Sequence, residues 1–146
     1  MRRLAIAAAA AIAAGGCGGA APPSLIALRT QANRICSDAS RQIGRIATPR
    51  SEAGGEAFLR RGIVALAPEH RQLRSLAAPS EAADVYRAGV GALSGELGAL
   101  SETAHALAKQ ADPVIAFRTL QQRLVPLESQ ADDAWQALQI PACMSR

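Results

Sequence analysis

The sequence predicts an all-α protein, an up-down-up-down four-helix bundle. Three observations point there. From Ser24 to the C-terminal tail, apolar residues recur at alternating steps of three and four, the period of a helix face. No run alternates apolar and polar residues as a half-buried strand does. The composition is 49% hydrophobic but only 3% aromatic, so the core must be built from Leu, Ile, Val and Ala. Ala and Leu also have the best helix propensities. A chain of 146 residues suffices for one such domain.

Three breaks divide the pattern into segments 24–47, 56–77, 80–110 and 113–139. The first break, Thr48 to Gly55, holds Pro49, Gly54 and Gly55; the second is Ala78-Pro79-Ser80. In the third, Ala111-Asp112-Pro113, Asp112 can cap the next helix and Pro113 suits its first position. The first segment offers Leu25, Leu28, Ala32, Ile35, Ala39, Ile43 and Ile46 to a core. The second offers Leu59, Ile63, Leu66, Leu73 and Ala77, with His70 on the same seam. The third offers Tyr86, Val90, Leu93, Leu97, Leu100, Ala104, Leu107 and Ala111, and the fourth Phe117, Leu120, Leu124, Leu127, Ala131, Ala134 and Leu138. Short connections between amphipathic helices make neighbours antiparallel. The steps of three and four also suit coiled-coil-like packing.

Reflecting the third helix onto the fourth about their turn sets Ala104 opposite Leu120 and Gly89 near Trp135. Large against small is how facing layers interdigitate, so Trp135 is expected to fill the space beside Gly89. Gly89, Gly91, Gly95 and Gly98 all lie in one helix, each costing about 1 kcal/mol relative to Ala. They point to a bend or a close approach. Gly91 and Gly95 have the spacing of a membrane helix-pairing motif, but Asp84, Arg87, Glu96 and Glu102 make that helix too polar to span. Pro68 and Pro126 are expected to kink their helices.

The N-terminus has a different character. Arg2-Arg3 precedes an uninterrupted apolar run from Leu4 to Ala14, and Gly15-Gly16-Cys17 follows. This is the layout of a secretory signal, and the run falls short of the ~20 residues a membrane-spanning helix needs. The segment Ala14-Gly15-Gly16-Cys17 resembles the lipobox of bacterial lipoproteins, with Ala14 where that family usually has Leu. The resemblance implies a diacylglyceryl group on Cys17, which becomes the mature N-terminus and anchors the chain to a membrane. The domains expected are a signal peptide 1–16, the lipidated Cys17 with a Gly/Pro-rich tether 17–23, and a helical domain 24–146. Cleavage by ordinary signal peptidase near Ala11-Ile12-Ala13, giving a soluble secreted protein, is the alternative.

Cysteine count fits the lipidated form. The chain has three, Cys17, Cys36 and Cys143, and lipidation of Cys17 leaves an even pair in an oxidising compartment. A Cys36–Cys143 disulfide is therefore expected. Cys36 lies near the middle of the first helix. The tail Ile140-Pro141-Ala142-Cys143 must then fold back along it, or the helices must be staggered.

The residues capable of chemistry do not form a catalytic set. Glu69 and His70 are adjacent and point about 100° apart on a helix, as do Asp132 and Asp133. His105 lies three residues after Glu102 and four before Lys109, the spacing of a surface charge cluster. The two histidines fall about 25 Å apart along the bundle axis at 1.5 Å per residue, too far to share a haem. No phosphate loop, nucleophile elbow, zinc-protease or EF-hand motif is present. No catalytic residue, metal or cofactor is expected. Sixteen basic residues against twelve acidic give +4, or +2 without Arg2 and Arg3. With signs interspersed, a nucleic-acid partner is not expected. The function expected is a tethered binding or structural module of the cell envelope, its partner an envelope protein. The alternative is a carrier of a small apolar ligand between helices near Gly89–Gly98.

Overall fold

The structure is a computed structural model that describes residues 23–144. The expected signal peptide, Cys17 and all of the tether but Pro23 lie outside the described residues. Four α-helices follow in order: α1 (Leu25–Ile43), α2 (Gly55–Ser75), α3 (Ala83–Ala108) and α4 (Pro113–Leu138). Short 3-10 turns precede α2 (Glu52–Gly54) and α3 (Ser80–Ala82), and a third closes the tail (Pro141–Cys143). Among the described residues there is no strand. Consecutive helices pack on one another, and α1 meets the end of α4 through the tail turn.

Local chemistry explains most boundaries. Ser24 caps α1 by accepting the Ala27 N–H at 3.2 Å. Asp112 caps α4 by accepting the Ile115 N–H at 3.0 Å, with Pro113 in the first turn. Helix α1 stops at Ile43, short of the expected 47. Gly44 follows at once, and the residue before Pro49 is barred from helical geometry. The ends of α3 and α4 share one device. Gln110 (φ 64°) and Gln139 (φ 57°) adopt the left-handed region. The next amides reach back five residues, Ala111 N–H to Ala106 O at 3.1 Å and Ile140 N–H to Trp135 O at 2.9 Å. This is a Schellman ending, for which Gly is the usual residue.

Pro68 and Pro126 sit inside α2 and α4, and both helices continue past them. Each removes the partner of the carbonyl four residues back. Those residues, Val64 and Gln122, are exposed, so solvent can satisfy the carbonyls.

The core has two parts. One gathers all four helices and the tail: Leu28, Ala32, Leu73, Leu93, Ala131, Trp135 and Ile140 pack there with Cys36 and Cys143. The other draws on α2, α3 and α4, with Leu59, Ala99, Ala104 and Leu120 at its centre. Helix α1 has no residue in the second part, so the bundle is four-helical at the tail end and three-helical at the other.

The expected pairings across α3 and α4 hold. Ala104 and Leu120 share the second core part. A Cβ placed on Gly89 would stand 2.8 Å from Cη2 of Trp135. The fully buried indole therefore occupies the room that the glycine leaves. Its ring meets Tyr86 edge-on, with centroids 5.9 Å apart. Leu127 closes over Gly95 in the same way, whereas a Cβ on Gly91 or Gly98 would meet nothing within 4 Å. The glycine-rich helix thus has one filled face and one open face. No helix of the described residues is long and apolar enough to cross a membrane.

Candidate functional site

The open face of α3 borders a groove of about 530 Å³ against α2. Its walls come from the last turns of α2, the connection through Leu76 and Ala78, and the first half of α3 up to Ser94. Tyr86 holds this corner together by donating its hydroxyl to Leu73 O at 2.7 Å, tying α3 to the end of α2. Burial pushes its phenol pKa well above the ordinary value. Leu76 leaves the helix in an extended conformation (ψ 137°) and packs against the core from the groove side.

The floor of the groove is apolar, from Leu76, Ala78, Tyr86 and Val90, and its rim carries His70, Arg74, Arg87 and Ser94. His70 therefore sits at a groove wall, half-buried. The residue of α2 facing the core is its neighbour Glu69, only 2% exposed. Burial and then the guanidinium groups of Arg74 and Arg71 hold the His70 imidazole below its ordinary pKa. Unfolded histidine titrates near 6.5. As pH falls from 6.5 towards the folded value, the unfolded chain takes up the proton more readily, and stability drops through that window. His70→Gln should flatten thermal stability between pH 7 and pH 5. An unchanged pH profile in the variant would show that His70 carries none of it.

Other candidate residues stay apart. Asp132 lines a small polar pocket of about 190 Å³ with Glu96, Glu128 and Cys143, while Asp133 borders a separate hollow beside Pro126 and Ser129. The two acids diverge as helix geometry requires. Glu102 pairs with Arg123 of α4, and that partner lowers its carboxyl pKa. Glu102, His105 and Lys109 are all exposed, and the expected cluster gains a bridge between helices through Arg123. Arg60 pairs with Glu56 one turn away.

The cysteine expectation is met in geometry. The sulfurs of Cys36 and Cys143 lie at bonding distance, with Cα atoms 5.0 Å apart, and both residues are buried. The tail folds back along α1, the first of the two routes open to it. Pro141 starts the reversing turn. The Ala142 N–H donates to Asn33 Oδ1 at 3.1 Å, and Arg29 Nε donates to Leu138 O at 2.7 Å. The carboxylate of Glu69 comes within 4.8 Å of both sulfurs. Two thiolates and a carboxylate could hold a thiophilic cation, but with the sulfurs bonded to each other that donor set is not available.

The buried acids Glu69 and Glu96 were not legible in the sequence. The alternating seam on α2 runs through His70, and Glu96 lies off the Leu93–Leu97 stripe.

These features define a cysteine-bridged helical bundle with a surface groove that is apolar below and cationic above. No protein-family profile, curated protein or solved structure matches the chain.

Proposed function

We infer that this chain is an exported module of the cell envelope, held at a membrane by lipid on Cys17, that acts by binding and not by catalysis. The Cys36–Cys143 pair carries this reading. A bond between them persists in an oxidising compartment, and their pairing leaves Cys17 as the one cysteine outside the pair. The charged leader, the apolar run and the lipobox-like Ala14-Gly15-Gly16-Cys17 agree with it. Binding is favoured because neither histidine lies with the acids that share the small Glu96–Glu128–Asp132 pocket, while the α2–α3 groove offers a concave apolar floor. The carrier alternative gains from the same groove. Its ligand would lie at the surface beside Gly91, since Trp135 and Leu127 cover Gly89 and Gly95. Signs remain interspersed along the chain, which favours no nucleic-acid partner.

Cell fractionation and mass spectrometry of the mature N-terminus test the anchor. The expected product begins at Cys17, carries acyl chains and sediments with membranes. Cys17→Ser should release the protein from the membrane fraction or accumulate the precursor. Unchanged processing and membrane retention in that variant would sink the anchor, and a mature N-terminus just after Ala13 would establish the soluble secreted form.

A further inference from the structure

We propose that the α2–α3 groove seats a single acyl chain with an anionic head, the class of a free fatty carboxylate. The inference rests on the binding reading above and supplies its ligand.

Size and shape come first. About 530 Å³ falls within the ~300–1,000 Å³ of small-molecule sites. The groove is open along one side, as a flexible chain entering from solution or a membrane requires. Its floor is formed by buried Val90 and Tyr86 together with half-buried Leu76. Gly91 lies on the wall, where an added Cβ would meet nothing within 4 Å. Glycine here leaves free the volume that a larger side chain would fill. A purely apolar ligand would need no more than this.

The rim selects the head. His70, Arg74 and Arg87 line the groove, and no Asp or Glu does. Among the described residues Arg74 has no carboxylate partner. Arg87 shares its charge with the exposed Asp84 of its own helix. Arg71 adds positive charge from one turn back; burial first, then Arg74 and Arg71, hold the His70 imidazole below its ordinary pKa. A guanidinium binds a carboxylate through paired N–H groups in one plane, and the Ser94 hydroxyl beside them can donate a further hydrogen bond. An apolar floor under an unbalanced cationic rim is complementary to an amphiphilic anion, and leaves a neutral hydrocarbon without its polar partner.

Titration calorimetry on the protein purified from expressing cells, in its Cys17→Ser form to exclude its own acyl chains, tests this. The probes are dodecanoate below its micelle concentration, dodecanol, and anionic phospholipid vesicles. Dodecanoate should bind at one site and more tightly than dodecanol. Arg74→Gln with Arg87→Gln should weaken dodecanoate by about tenfold or more, the range for losing charge-assisted hydrogen bonds, and leave dodecanol unchanged. Gly91→Leu should abolish binding of both. Gly98→Leu, on the same helix two turns on and equally open, should bind as the parent does. Thermal unfolding of each variant confirms that it is folded. Several results would overturn the proposal: no dodecanoate binding, equal affinity for the alcohol, equal loss in Gly91→Leu and Gly98→Leu, or binding to vesicles without binding to the monomeric anion. None of these bears on the anchor, which stands or falls on fractionation.

Discussion

Reduction of the Cys36–Cys143 bond is expected to cost about 4.7 kcal/mol of folding free energy in the chain-entropy model. The pair is separated by 107 residues, so the bond closes nearly the whole described domain. In its absence the unfolded chain gains the freedom of that entire loop, while the folded state keeps α1 and the tail together through Asn33 and Arg29. A domain of this size has ~5–15 kcal/mol in total, so most of the stability of a marginal bundle would go. The thermal midpoint should fall by on the order of 15 °C. Guanidinium unfolding with and without a phosphine reductant, with thiols counted in both samples, checks this. The m-value should rise on reduction, because the freed unfolded chain exposes more surface. A midpoint that does not move once two thiols are counted would show that the bond constrains nothing.

Trp135→Ala should destabilise the protein by ~3–5 kcal/mol, the range for deleting a large aromatic side chain from a core. The indole is fully buried, lies edge-on to Tyr86 and fills the space beside Gly89. Its N–H finds no hydrogen-bond acceptor among the described residues. Trp135→Phe should therefore lose volume without orphaning a polar partner, and cost clearly less. The sharper test is Gly89→Ala in two backgrounds. Beside Trp135 the new methyl has a ring atom at 2.8 Å and must displace it, so the substitution should destabilise. In the Trp135→Ala background the obstruction is gone, and only helix propensity remains, a gain of ~0.8–1.0 kcal/mol. The sign should reverse. Additive effects in chemical denaturation would show that the two positions do not share one volume.

Much of this fold is legible in the amino-acid sequence. Periodicity identifies the face of a helix when the partners are apolar, which is why Leu28, Ala32, Leu93, Leu120 and Leu138 were placed in the core and are buried. Caps are short-range chemistry, so Asp112 and Pro113 announced the start of α4. The Gly89–Trp135 contact could be read because two helices joined by a short turn have one simple mirror register. The same reading missed Glu69 and Glu96. Burial of a carboxylate violates the polarity rule that periodicity relies on. Such a group is carried inside by the neighbours that surround it, which no local pattern records.

Composition, period and breaks were therefore enough by themselves to determine four helices, most of their ends, their order and much of the faces they bury, because these depend on residues within a few turns of one another. Distant parts of the chain decided the rest. The tail doubles back to bring Cys143 beside Cys36 because Asn33 and Arg29, more than a hundred residues away, supply its hydrogen bonds. Glu102 pairs with Arg123 because α4 passes next to it. The groove exists because Tyr86 fastens α3 to Leu73 while Gly91 faces outward. Each of these is a relation between elements, settled when the helices pack and set by which side chains then share a volume.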